Sequence, residues 1–181
     1  MTDRLKAKFA PAFSRDLKKK AAKRKWDLSE LEAVIDLILE NSTESIAILK
    51  QRHNMHKLTR ESVQAGLAAV KPWGFLGDVS AAVNQVATQA GFTVVREFGG
   101  HGIGLEFHED PWVGFNEEAG TGPILVPGMC FTIEPMVNMG AQEIDMTDPN
   151  GWTVRTADGK PTAQWEVQLV VTDTGYELIS W

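Results

Sequence analysis

Four glycines crowd one histidine in the stretch Phe98 to Pro111, which reads FGGHGIGLEFHEDP. Gly99, Gly100, Gly102 and Gly104 surround His101, and His108 follows seven residues later. Glycine allows close backbone approach and positive φ, so such a run makes a poor helix and a poor ordinary strand. It suits a place where an imidazole meets a ligand at close range, and neutral imidazole is the commonest protein metal ligand. Taken alone, the stretch fits a glycine-rich turn with two surface histidines equally well.

Two later segments shift that balance. Phe131 to Asn138 reads FTIEPMVN, an apolar run of strand type with one acid, Glu134, inside it. Gln164 to Val171 reads QWEVQLVV, again strand-like, with Glu166 as its one acid. Burying a lone carboxylate costs several kcal/mol, on the order of the penalty for any unpaired ion, unless it is paired or binds metal. One histidine and two carboxylates converging from separate strands would make a first shell for a hard or borderline divalent ion.

The wider composition sets limits on this chemistry. A chain of 181 residues with 43% hydrophobic residues allows one domain, or two, with a real core. No apolar run is long enough for a membrane helix and no signal-peptide pattern opens the chain, so the cytoplasm is the expected compartment. A single cysteine, Cys130, excludes an internal disulfide framework. Charge is uneven: residues 1–60 carry 14 Lys and Arg against 8 Asp and Glu, whereas residues 61–181 carry 4 against 16. Such asymmetry points to two segments with different partners. The basic one could meet nucleic acid or an acidic partner, or could be a solvated face.

Periodicity predicts a basic helix over Ser14 to Lys25 and an amphipathic one over Leu28 to Glu40, with Asp27 and Glu30 as its capping box. A short helix through Leu49 follows. A further helix is expected over Arg60 to Val70, stopped by Pro72, and another over Val79 to Ala90, capped by Asp78 and closed by Gly91. Strands are expected over Phe92 to Phe98, Phe131 to Asn138, Trp152 to Thr156, Thr162 to Thr172 and Tyr176 to Ser180, with a loop from Glu117 to Pro127.

Four motifs in order, GHGIG (Gly100 to Gly104), FHEDP (Phe107 to Pro111), GMCFTIEPMVN (Gly128 to Asn138) and GWTVRTADGKPTAQWE (Gly151 to Glu166), resemble the C-terminal half of a type I methionine aminopeptidase. The resemblance runs from about residue 58 to the end. It implies an α+β chain: half of a pita-bread fold, an antiparallel sheet with two covering helices, preceded by a small helical segment. It implies His101, Glu134 and Glu166 as metal ligands, with His101 and His108 contacting substrate and His108 catalytic. It also implies divalent cobalt, manganese, iron or zinc as cofactor and the N-terminal methionine of peptides or nascent proteins as substrate.

The family's remaining two ligands are aspartates from its N-terminal half, and no counterpart occurs among Asp3, Asp16, Asp27 and Asp36. One ion rather than two, and impaired turnover, are therefore expected. Val167 stands where the family often has histidine, and Gly99 where it often has cysteine. Residues 7–59, including AFSRDLKKKAAKRKWDLSELEAVIDLILEN and RHNMHKLT, resemble instead the N-terminal helices of a RelE/YafQ-type toxin, an mRNA-cleaving ribonuclease. His56 could match one of that family's histidines, although a surface role suits it better. The expected domains are thus 1–57, basic, helical and incomplete, and 58–181, aminopeptidase-like. An RNA- or antitoxin-binding remnant and an inactive recombined chain are the alternative functions. Half a sheet leaves an open edge, so a homodimer through that edge is expected.

Overall fold

The structure, a computed structural model, describes residues 43–180, with side chains from residue 51. The helices expected over Ser14 to Lys25 and Leu28 to Glu40 lie outside the described residues. The chain divides into two compact units, Met1–Arg52 and His53–Trp181, and all packing described below belongs to the second.

Helix α1 is continuous over Thr43–Ala69, where the sequence led us to expect two shorter helices. No proline or glycine interrupts it before Gly66. Thr59, just before the expected helix start at Arg60, is interior: its hydroxyl donates to the Met55 carbonyl at 2.9 Å, and Ser62 donates to Leu58 O at 3.0 Å. Bonding back to the i−4 carbonyl lets a hydroxyl residue sit inside a helix. His56 is exposed on this helix.

Helix α2, Leu76–Gln89, starts earlier than expected. Asp78 is its third residue rather than its cap. One carboxylate oxygen accepts the Phe75 N–H at 3.1 Å, and the other accepts the Gly120 N–H at 2.8 Å. A single side chain thus satisfies a free helical donor and pins the Glu117–Pro127 loop to the helix start. Gly91, at φ 78°, ends the helix as expected.

Ten short strands follow: β1 Thr93–Val94, β2 Gly100–Gly102, β3 Glu109–Val113, β4 Cys130–Ile133, β5 Met136–Asn138, β6 Ile144–Asp145, β7 Arg155–Thr156, β8 Thr162–Gln164, β9 Val167–Val171 and β10 Tyr176–Ser180. They form a five-stranded antiparallel sheet in the order β10-β9-β4-β2-β3, a three-stranded sheet β1-β5-β8 and a ribbon β6-β7.

Two strands expected to be continuous are broken, and both breaks fall at the acids. β4 joins the large sheet and β5 the small one, with Glu134-Pro135 between them. β8 joins the small sheet and β9 the large one, with Trp165-Glu166 between them. Ile133 pairs with Val167 on one side of this junction and Met136 pairs with Gln164 on the other. Pro135 has no N–H to give a ladder, which favours a break there. The two acids therefore face each other where one strand pair crosses between sheets.

The core lies between the helices and the large sheet. Val63 and Leu67 of α1 and Val79 and Val83 of α2 meet Phe131, Ile133, Leu169 and Val113, all buried. Gly66 lets the two helices touch closely: a Cβ there would fall 2.7 Å from Val83 Cγ2. Among the described residues, no helix is long and apolar enough to cross a membrane.

Candidate functional site

His101 is the middle residue of β2, held between β3 and β4. Its backbone N–H donates to Thr132 Oγ1 at 2.9 Å. That approach requires glycine at position 100, because a Cβ there would run into the Thr132 carbonyl. The imidazole Nδ1 lies 2.9 Å from the Gly102 carbonyl oxygen. A carbonyl only accepts, so Nδ1 carries the proton in the neutral ring and the Nε2 lone pair is free. Nε2 faces Glu134 Oε1 at 3.4 Å.

Glu134 is fastened from two more sides. The Thr132 hydroxyl donates to Oε1 at 2.7 Å and Gln164 Nε2 donates to Oε2 at 3.0 Å. Thr132 is buried, and its hydroxyl thus links the backbone of one candidate ligand to the carboxylate of the other. Burial holds the Glu134 carboxyl above the usual carboxylate range. The Thr132 bond pulls it back, the Glu166 charge pushes it up again, and the two histidines lower it.

A free Nε2 lone pair facing a carboxylate oxygen is unfavourable unless a proton or a cation lies between them. Two donors each about 2.1 Å from a shared ion stand roughly 3.4 Å apart at a tetrahedral angle. The observed separation of 3.4 Å matches that spacing, so this pair fits a divalent ion.

The other two sequence candidates are arranged more loosely. His108 is exposed, with its ring centre 4.2 Å from that of His101, and Phe107 stands edge-on to it at 4.5 Å. Glu166 lies across the junction from Glu134 and its charge is felt there, but its side chain is exposed. Beside it, Trp165 carries the Arg60 guanidinium over its ring at 5.2 Å. Among the described residues, no three His, Cys, Asp or Glu side chains are gathered tightly enough to hold a metal ion.

A cleft of about 1360 Å³ opens over His101, His108 and Glu134. Its apolar walls include Phe98, Trp112, Met136, Met146, Trp152 and Val154. Sequence reasoning did not single these residues out. Trp152 is 88% exposed in the segment between β6 and β7, where a strand was expected from Trp152 onward. An indole left bare in a Gly-Trp turn is a usable signal for a contact surface.

The family model of metallopeptidase family M24 matches residues 34–173. The chain belongs to metallopeptidase family M24. The match begins within residues 7–59, for which a toxin likeness was expected; the comparisons do not support that likeness, and most of the stretch lies outside the described residues. Among curated M24-type relatives, methionine aminopeptidase A of Synechocystis is 47% identical over 124 residues, covering 68% of this chain and 49% of that protein. The methionine aminopeptidase of Escherichia coli K12 is also 47% identical over 124 residues, with 68% and 47% covered. The crystal structure of methionine aminopeptidase from Rickettsia prowazekii superposes with a TM-score of 0.69 at 36% identity, covering 71% of this chain and 52% of that one. The chain spans about half the length of the curated relatives it matches. The sheets and two helices of the described residues are a partial pita-bread domain of the α+β class.

Proposed function

We propose that this M24 chain removes N-terminal methionine from peptides in a metal-dependent hydrolysis, at reduced efficiency because two aspartate ligands have no counterpart in it. The observation that carries the reading is the His101–Glu134 pair: a fixed tautomer, a free lone pair and an oxygen at 3.4 Å. His101 and Glu134 would hold one ion of cobalt, manganese, iron or zinc. Glu166 would add a third ligand by turning its exposed side chain towards the junction. A divalent ion bound there supplies charge that acidifies water and polarises a carbonyl.

The chain's own groups do the rest. Thr132 and Gln164 aim the Glu134 carboxylate. His108, exposed beside His101, offers a ring N–H to the carbonyl oxygen of the peptide. Met136, Met146 and Trp152 give an unbranched apolar side chain a soft wall and shed water from it. The names of the relatives support the choice of methionine.

The test is release of methionine from a Met-Ala-Ser peptide with added Mn²⁺ or Co²⁺. We expect slow turnover that is lost in His108→Ala while metal binding persists. Turnover unaffected by His101→Ala would refute the reading. Metal binding without any turnover would favour the inactive recombined chain.

The open β10 edge of the five-stranded sheet supports a homodimer, since Tyr176 and Ile179 on it are exposed. The charge of residues 1–60 favours a second reading for that segment, an RNA or acidic partner. Salt-dependent RNA binding by the full chain, lost when its lysines at positions 18–20 become glutamine, would support it.

A further inference from the structure

We propose, resting on the aminopeptidase reading above, that Trp112 is a specificity-determining wall of the cleft that selects peptides with Lys or Arg shortly after the N-terminal residue.

Three observations carry this. The first is register. Trp112 of β3 is the direct cross-strand partner of His101 on β2. Directly opposed residues in an antiparallel ladder share a face, with Cβ atoms about 4.5–5.5 Å apart. The indole therefore adjoins the imidazole that faces Glu134, and both line the cleft.

The second is how the indole is seated. A Cβ on Gly99 would fall 2.8 Å from Trp112 Cζ2 and 3.2 Å from Cε2, so the ring lies against bare backbone. Trp112 remains 52% exposed and takes no part in the buried core. Its seating spends a glycine beside the site to place a large apolar surface at the cleft rather than in the interior. With Phe98, Met136 and Trp152 it makes one apolar wall of the cleft, and a contiguous apolar surface of that kind marks a binding groove.

The third is the charge around the ring. Glu97, Glu109, Asp110 and Glu134 line the same cleft, and no Lys or Arg lines it among the described residues. Glu109 is partly engaged, accepting the Glu106 N–H at 3.1 Å. Asp110 precedes the indole by two residues on β3, and Glu97 sits in the bend that leads into β2. An aromatic face bordered by carboxylates suits a long cationic side chain: its methylene stem lies on the ring and its head meets the acids. An acidic peptide would meet like charge instead.

The test is isothermal titration of the full chain, at constant Mn²⁺, with three peptides that differ only after the second residue: Met-Ala-Ser-Ser, Met-Ala-Lys-Lys and Met-Ala-Glu-Glu. The lysine peptide should bind about fivefold more tightly than the serine peptide, with the glutamate peptide weakest. In Trp112→Gln the lysine-to-serine ratio should fall to about one, while Trp112→Phe should keep most of it. Asp110→Asn should lower the ratio and weaken its dependence on salt. Melting curves of each variant confirm that it is folded. Equal affinity for the serine and lysine peptides in the unmodified chain would overturn the inference and leave the aminopeptidase reading standing. A preference that survives in folded Trp112→Gln would do the same. Failure of all three peptides to bind would remove both.

Discussion

Glu134 and Glu166 face each other across one sheet junction, yet they live in different surroundings. Glu134 is half-buried and held by the Thr132 hydroxyl, the Gln164 amide and the approach of His101 Nε2. Glu166 is exposed, beside a tryptophan whose ring carries an arginine. Both acids are placed by the same strand register. The register decides which residues meet; the side chains packed around each acid decide which of the two is preorganised. A candidate ligand that is already desolvated and aimed costs little to recruit, whereas an exposed one must be ordered first.

Four experiments break or sharpen that contrast. The largest effect is expected for Glu134→Gln. Mn²⁺ or Co²⁺ affinity should fall by more than the roughly 10–100-fold that loss of an outer-shell partner costs. Thr132→Val comes next, since it removes both the bond to Glu134 and the acceptor for the His101 N–H. A loss of about 10–100-fold in affinity is expected by titration. A drop of about 1–3 kcal/mol in stability should appear in urea melts. Thr132→Ser, which keeps the hydroxyl, should recover most of both.

Glu166→Gln should weaken metal binding by about tenfold or less, as the exposed acid is the less prepared of the two. A larger loss than in Glu134→Gln would invert the comparison.

The smallest effect concerns pH in the metal-free chain. Burial raises the Glu134 carboxyl above its ordinary 4.5, so the folded state holds that proton more firmly than the unfolded chain does. Its contribution is present in full below the unfolded value and is lost as pH rises through the folded one. Metal-free Glu134→Gln should therefore melt higher than the unmodified chain at pH 7, with the gap closing towards pH 4. Gln keeps an acceptor for the Thr132 hydroxyl but not a second one for Gln164 Nε2; that loss does not vary with pH, so the change of the gap with pH reports the charge. A gap that widens on acidification would contradict the assignment of burial as the main cause.

Part of the candidate site's layout was legible in the chain itself. A single acid in each of two apolar runs marked Glu134 and Glu166, and the glycines around His101 marked a close backbone approach, which the structure locates against Thr132. The end of α2 at Gly91 was equally plain. What escaped was non-local. The apolar pattern of Phe131 to Asn138 cannot reveal that its two halves join different sheets, because pairing partners set that. Asp78 looks the same in sequence as a cap or as a third residue whose carboxylate reaches back; only the Phe75 and Gly120 amides distinguish them. The break expected between Leu49 and Arg60 did not occur, because hydroxyl side chains can bond within a helix as well as cap one. The cleft walls at Trp112 and Trp152 were missed for a related reason. Aromatic residues in short strands and turns read as core, and only their exposure reveals otherwise.

The account turns on whether His101 Nε2 and the Glu134 carboxylate share one cation. Isothermal titration of Co²⁺ into the full chain at pH 7 measures this. We predict one ion per chain and loss of the binding signal in both His101→Ala and Glu134→Gln. Binding of the same strength in either variant, or none in the unmodified chain, would contradict it.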